Sequence, residues 1–100
     1  MAAVVLVDWS FHDDLVSHLT ALRRESRLDH IAALRQDLRD ARRLLSRFPR
    51  VGTIEERDAR AELRRLILRR TPYVIWFVTE GQRRPTATWL RLFHAHQDRR

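Results

Sequence analysis

Tyr73-Val-Ile-Trp-Phe-Val78 is a run of six apolar residues, and it constrains the fold more than any other stretch of the chain. Side chains of a strand alternate between two faces. A run that is apolar in both phases therefore predicts a central strand, either covered on both sides or lying under a partner. Two further runs flank it, Leu63 to Arg69 and Thr88 to Ala95. Glu80 to Pro85, which contains Gly81 and Pro85, reads as the hairpin turn into the last strand. The C-terminal part thus predicts a three-stranded antiparallel meander.

The first half follows a different period. Val4 to Trp9 is short, β-branched and apolar, and reads as a strand closed by Ser10, whose hydroxyl can cap the next helix with Asp13 in a capping-box-like position. Phe11, Leu15, Leu19 and Leu22 recur at helical spacing. After a polar turn over Arg23 to Arg27, Ile31, Leu34, Leu38, Ala41, Leu45 and Phe48 make a second stripe that Pro49 stops. Gly52 interrupts the stretch from Pro49 to Glu62, which is locally acidic and reads as a loop or a loop with one helical turn. The expected architecture is α+β and a single domain over 1–100. It comprises an N-terminal strand (1–9), an α-helical hairpin (10–48), a loop (49–62) and antiparallel strands (63–98), with the helices packed on one face of a small twisted sheet. One hundred residues suffice for one core without metal or disulfide staples.

Composition excludes several chemistries. With no cysteine there are no disulfides, thiol nucleophiles or thiolate metal sites. With only Gly52 and Gly81 there is no glycine-rich phosphate loop. The N-terminal apolar run ends at Asp8, far short of the roughly 18 residues that span a bilayer, so a soluble, cytoplasmic protein with no membrane partner is expected. All 20 basic residues are arginine, and they are unevenly placed. Positions 1–22 carry −3, 23–50 carry +5, 51–62 carry −2 and 63–100 carry +7. Guanidinium forks suit carboxylate and phosphate, which points to an acidic protein or a nucleic acid as partner.

Several constellations bear on chemistry. His94, His96 and Asp98 at i, i+2 and i+4 are reminiscent of a two-histidine, one-carboxylate metal site, but chance produces this spacing readily, and neither a metal nor a cofactor is expected. His94 with Arg64 or Arg65, and a glutamate at Glu55 or Glu56, would supply acid, anion clamp and base for cleaving RNA through its own 2′-hydroxyl. Composition alone favours a plain surface histidine beside solvated arginines. Arg64, Arg65, Arg69, Arg91 and His96 are the candidate anion-binding residues. Trp76, Phe77, Trp89 and Phe93 fit a sheet core better than a base-stacking platform.

The order strand, helical hairpin, meander, together with Arg64-Arg-Leu66, Thr71-Pro-Tyr-Val-Ile75 and Leu92-Phe-His-Ala-His-Gln-Asp98, resembles the RelE/ParE superfamily of bacterial toxins. Val7-Asp-Trp-Ser10, Asp14-Leu15 and Phe48-Pro-Arg-Val-Gly52 fit the same pattern, so the resemblance covers nearly the whole chain. It implies the toxin of a type II toxin-antitoxin module of the plasmid-stabilisation kind. Such a toxin is held silent in a hetero-oligomer by a cognate acidic antitoxin and inhibits growth when released. ParE-like members poison DNA gyrase, whereas RelE-like and YoeB-like members cut mRNA on the ribosome. In the ribonuclease branch the resemblance puts Arg64 or Arg65 at the phosphate-binding arginine and His94 at the catalytic histidine, with Glu55 or Glu56 near the base. Ala95 stands where YoeB-like toxins have an aromatic, and the lysines of RelE-like enzymes have no counterpart. The Thr71-Pro-Tyr73 turn and the His94-to-Asp98 ending look closer to ParE-like sequences, with His96 in place of the usual arginine. A gyrase-poisoning, non-enzymatic toxin is therefore the leading expectation, an mRNA endonuclease the alternative, and a nontoxic basic binding module the third.

Overall fold

A computed structural model describes residues 2–96. The elements are β1 Val4–Val7, α1 Trp9–Arg24, α2 Leu28–Arg47, β2 Thr53–Arg57, β3 Ala61–Ile67, β4 Tyr73–Glu80 and β5 Thr86–His94. Together they form a small α+β unit, two helices on a five-stranded mixed sheet of order β1-β5-β4-β3-β2. The strand that the apolar run predicts is the middle one. β1 lies parallel to β5, and every other pairing is antiparallel. No helix among the described residues is long and apolar enough to cross a membrane.

The stretch from Pro49 to Glu62 is not simply a loop. Thr53–Arg57 pairs with β3 as an edge strand, so the meander has four strands rather than three. Cross-strand ion pairs hold it in place of apolar packing: Arg57 Nε lies 3.0 Å from Glu62 Oε2, and Arg65 Nε 3.2 Å from Glu55 Oε1. Strand ends also differ from expectation. β3 stops at Ile67, which leaves Arg69 in the turn, and β5 begins at Thr86 and ends at His94. At the N-terminus β1 stops at Val7, and the helix cap is Asp8 rather than Ser10. The Asp8 carboxylate accepts the Ser10 N–H at 2.9 Å. Asp98, and with it the end of the 63–98 segment, lies outside the described residues.

One face of the sheet carries the core. Phe11 and Leu22 of α1 and Ile31, Leu34, Ala41 and Leu45 of α2 pack on Val5, Leu68, Tyr73, Ile75, Phe77, Ala87, Trp89 and Leu92. Burial of each large side chain in this set stabilises the fold by about 1.5–3 kcal/mol. A β-bulge in β5 makes the set possible. Trp76 pairs with Arg91 and Phe77 with Trp89, which leaves Leu90 as the extra residue. The shift brings Leu92 and His94 to the helix side with Trp89, and turns Arg91 and Phe93 to the other side. Both helices lie on the first face, so Val74, Trp76 and Val78 have no element above them among the described residues.

A buried carboxylate ties α2 to the turn between β3 and β4. Asp37 is 3% exposed and accepts the Thr71 hydroxyl at 2.7 Å, the Thr71 N–H at 2.9 Å and the Arg70 N–H at 3.2 Å. The Arg70 guanidinium reaches both Asp37 and Asp40, at 3.4 and 2.5 Å. Replacing Asp37 by Ala leaves two backbone donors and a hydroxyl without partners, and is expected to destabilise the protein by about 3 kcal/mol in urea unfolding. A loss below about 1 kcal/mol would mean that the turn does not depend on this anchor.

Candidate functional site

The adjacent arginines of β3 part company, because neighbouring residues of a strand face opposite ways. Arg64 pairs with Phe77 and faces the helices; Arg65 pairs with Trp76 and faces the open side. Arg64 is 6% exposed, and its guanidinium is spent inside the protein. Nη2 donates to Glu62 Oε1 at 2.8 Å, and Nη1 donates to the carbonyls of Arg50 and Gly52. Gly52 has φ +89, and a Cβ there would meet the Arg65 carbonyl at 2.5 Å, so only glycine lets the chain cross β3 this closely. Arg64 is thus a structural cation rather than the anion clamp that the sequence suggests. Arg64→Ala is expected to cost about 3 kcal/mol of stability, seen as a lower urea midpoint, because it leaves two carbonyls and the Oε1 of Glu62 without their donor while Arg57 keeps Oε2.

His94 lies at another corner of the molecule. It pairs with Tyr73 at the start of β4 and, with Tyr73, His18, Arg27, His30 and His96, lines a cavity of about 350 Å³. The rings form a chain: His18 to Tyr73 at 4.8 Å, Tyr73 to His94 at 5.4 Å, His94 to His96 at 5.1 Å and nearly parallel. His18 Nε2 bonds the Leu92 carbonyl at 2.8 Å, and the His96 N–H donates to His94 Nδ1 at 3.3 Å. Arg27 Nη2 donates to His30 Nε2 at 2.8 Å. Neither Arg64, Arg65, Glu55 nor Glu56 lines this cavity; among the described residues its only carboxylate is Glu25. The His94, arginine and glutamate grouping expected from the sequence is therefore not assembled: Arg65 is ion-paired to Glu55 on the opposite face, and Glu56 lies on β2 opposite Leu63. Among the described residues no group of three or more His, Asp or Glu is arranged to hold a metal ion.

Arg91 belongs to the face that carries no helix among the described residues. There the register sets Thr53, Arg65, Trp76 and Arg91 in one row, flanked by Ile67, Val74 and Phe93 on one side and Leu63, Val78, Thr88 and Leu6 on the other. Strand spacing of about 4.8 Å puts the Arg65 and Arg91 backbones roughly 10 Å apart, with Trp76 between them. Arg91 lies 4.9 Å over the Phe93 ring and is held bidentately by Asp14 at 2.8 and 3.1 Å. Asp14 also accepts the Leu92 N–H at 2.9 Å. Burial pushes the Asp14 carboxyl up, but the Arg91 and Leu92 hydrogen bonds and the Arg91 and His18 charges together hold it below the usual range. Exposed Ile67, Val4 and Leu6, at 64%, 54% and 47%, extend an apolar surface whose middle row has an arginine either side of Trp76. Arg69 lies apart in its turn, and His96 beyond the end of β5.

Comparison with family models, curated proteins and solved structures returns no match for the chain. The missed features, the β5 bulge and the roles of Asp37 and Asp14, had only a weak signal: acids spaced among the apolar stripes of two helices.

Burial first, then the charges of His96, His18 and Arg27, push the His94 imidazole below its ordinary 6.5. The unfolded chain then takes up this proton at a higher pH than the folded chain. Stability is complete above 6.5, falls as pH drops through 6.5, and levels off below the folded midpoint. NMR titration of the His94 ring is expected to give a midpoint under 6.5, moved upward by His96→Ala. A midpoint at or above 6.5 would contradict this account of the cavity.

Proposed function

We propose that this chain is the toxin component of a type II toxin-antitoxin module and that it acts by binding its target, DNA gyrase in the ParE-like reading, rather than by cutting RNA. The resemblance to the RelE/ParE superfamily supplies the class. The order of strand, helical hairpin and antiparallel strands is compatible with it. One observation carries the choice between branches: Arg64 is buried in a structural network and Arg65 faces away from His94, so the residues a ribonuclease needs together are apart. What the molecule offers instead is a binding surface, the open row of Arg65, Trp76 and Arg91 among apolar neighbours. Its occupant is an amphipathic acidic segment of the antitoxin, whose apolar side chains cover Trp76, Phe93 and Ile67 while carboxylates meet the arginine ends.

A second reading has its own observation. The His94 cavity holds a histidine, an arginine and a carboxylate, as His94, Arg27 and Glu25, so an mRNA endonuclease would have to use Arg27 where the resemblance points to Arg64 or Arg65. The third, a nontoxic basic binding module, uses the same open face without toxicity. Induction in bacteria separates the three. The favoured reading expects growth arrest with lost supercoiling and a DNA-damage response, retained by His94→Ala, and relief by co-expressed antitoxin that weakens about tenfold in affinity for Arg65→Ala/Arg91→Ala. Translation arrest that His94→Ala or Arg27→Ala abolishes would instead select the nuclease, and normal growth of a well-expressed chain would select the binding module.

A further inference from the structure

Far from His94, the sheet extends past the C-terminal end of α2 and leaves a cleft on the helix side. The row Arg57, Glu62 and Thr79 runs across its floor. The β2–β3 and β4–β5 turns bound it, and its volume is about 830 Å³. Through Arg50, Gly81 and Gln82 it joins a second hollow of about 740 Å³ against Phe48. Phe48 is 61% exposed, an unusual position for an aromatic that has a neighbouring core to enter.

The charges of the cleft sort into used and available. Asp58 is occupied by the N–H groups of Arg60 and Ala61 at 2.7 and 2.9 Å. Glu62 is occupied by Arg57 and Arg64 at 3.0 and 2.8 Å. Glu80 is the one other acid in the lining. Arg60 and Arg84 sit on the two turns that face each other across the cleft, and their side chains make no hydrogen bond or ion pair among the described residues. On the floor, Thr79 is 3% exposed, and its hydroxyl has no hydrogen-bond partner. A buried hydroxyl left this way destabilises a fold, and it lines the same cleft as the two arginines. Two guanidinium forks and a hydroxyl on the walls of one cleft suit the oxygens of a phosphate. An exposed aromatic next to that space offers a stacking face for a base. The volume is in the range of small-ligand sites, about 300–1,000 Å³.

We propose that this cleft binds a nucleotide, with its phosphate between Arg60 and Arg84 over the Thr79 hydroxyl and its base against Phe48. The site is at the other end of the sheet from His94 and on the opposite face from Arg65 and Arg91, so it does not rest on the toxin reading. Its ligand is either a free mononucleotide or one nucleotide of a single strand, since both present the same phosphate and base.

The test uses the full chain and NMR of the backbone amides of residues 57–62 and 79–86. The probes are adenosine monophosphate, inorganic phosphate, a short single-stranded oligoadenylate and a polyglutamate peptide. Saturable shifts with adenosine monophosphate at one per chain would assign a free nucleotide; shifts with the oligoadenylate alone would assign a single strand. In either case Arg60→Ala/Arg84→Ala, both exposed turn residues, should weaken binding about tenfold. Phe48→Ala should weaken adenosine monophosphate but leave inorganic phosphate unchanged. Thr79→Val should weaken binding with an unchanged or higher Tm, whereas Thr79→Ser should retain it. Binding that survives the double arginine substitution, a response to the acidic peptide alone, or no shift at millimolar nucleotide and oligoadenylate would each overturn the proposal.

Discussion

β4 is apolar on both faces, and the described chain supplies helices for only one of them. The rest of the molecule follows from that imbalance. Ile75 and Phe77 are sealed under α1 and α2 and organise the core. Val74 and Trp76, on the other side, nevertheless reach only 2% and 7% exposure. Phe93 of β5 is one neighbour, its ring meeting Trp76 edge-on at 6.4 Å. A face already this dry, with no helix over it among the described residues, needs little further ordering to receive a partner.

The arginines show why net charge is a poor guide to where a cation acts. The +7 excess suggests a basic surface, but several guanidinium groups brace the chain's own elements. Arg64 fastens the approach to β2, Arg70 fastens the β3–β4 turn to α2, and Arg91 fastens the free edge of β5 to α1 through Asp14. Each brace takes a cation and one or more carboxylates out of the surface balance together. Arg60 and Arg84, on the turns at the end of the sheet, are outside these braces: their side chains make no ion pair among the described residues.

Legibility in the sequence followed the strength of local pattern. β4 and both helices were visible because each buries a whole face, and burial leaves a period in the residues. β2 was invisible because an edge strand held by Arg57–Glu62 and Arg65–Glu55 pairs looks, residue by residue, like a solvated acidic loop. The candidate site failed for a more specific reason. Arg64 and Arg65 were read as interchangeable, but a strand sends neighbours to opposite faces, so one of the two had to be on the core side. Burial of a neighbouring apolar residue does not say which. Only the register, with Arg64 opposite Phe77, decides it.

His94 was misplaced relative to the arginines by a single residue. Without the bulge at Leu90, strict alternation from Trp89 would carry Arg91 to the helix side along with Phe93, and would turn Leu92 and His94 outward onto the face of Arg65. The extra residue reverses this: it seats Leu92 at full burial and sends the histidine toward the α1–α2 turn, where His18, Arg27 and His30 already stand. A β-bulge carries no residue signature as sharp as a glycine or proline, so its position is set by what the core needs to fill rather than by local preference. The packing demand at Leu92 thus separates His94 from Arg65, and with it a nuclease geometry from a binding one.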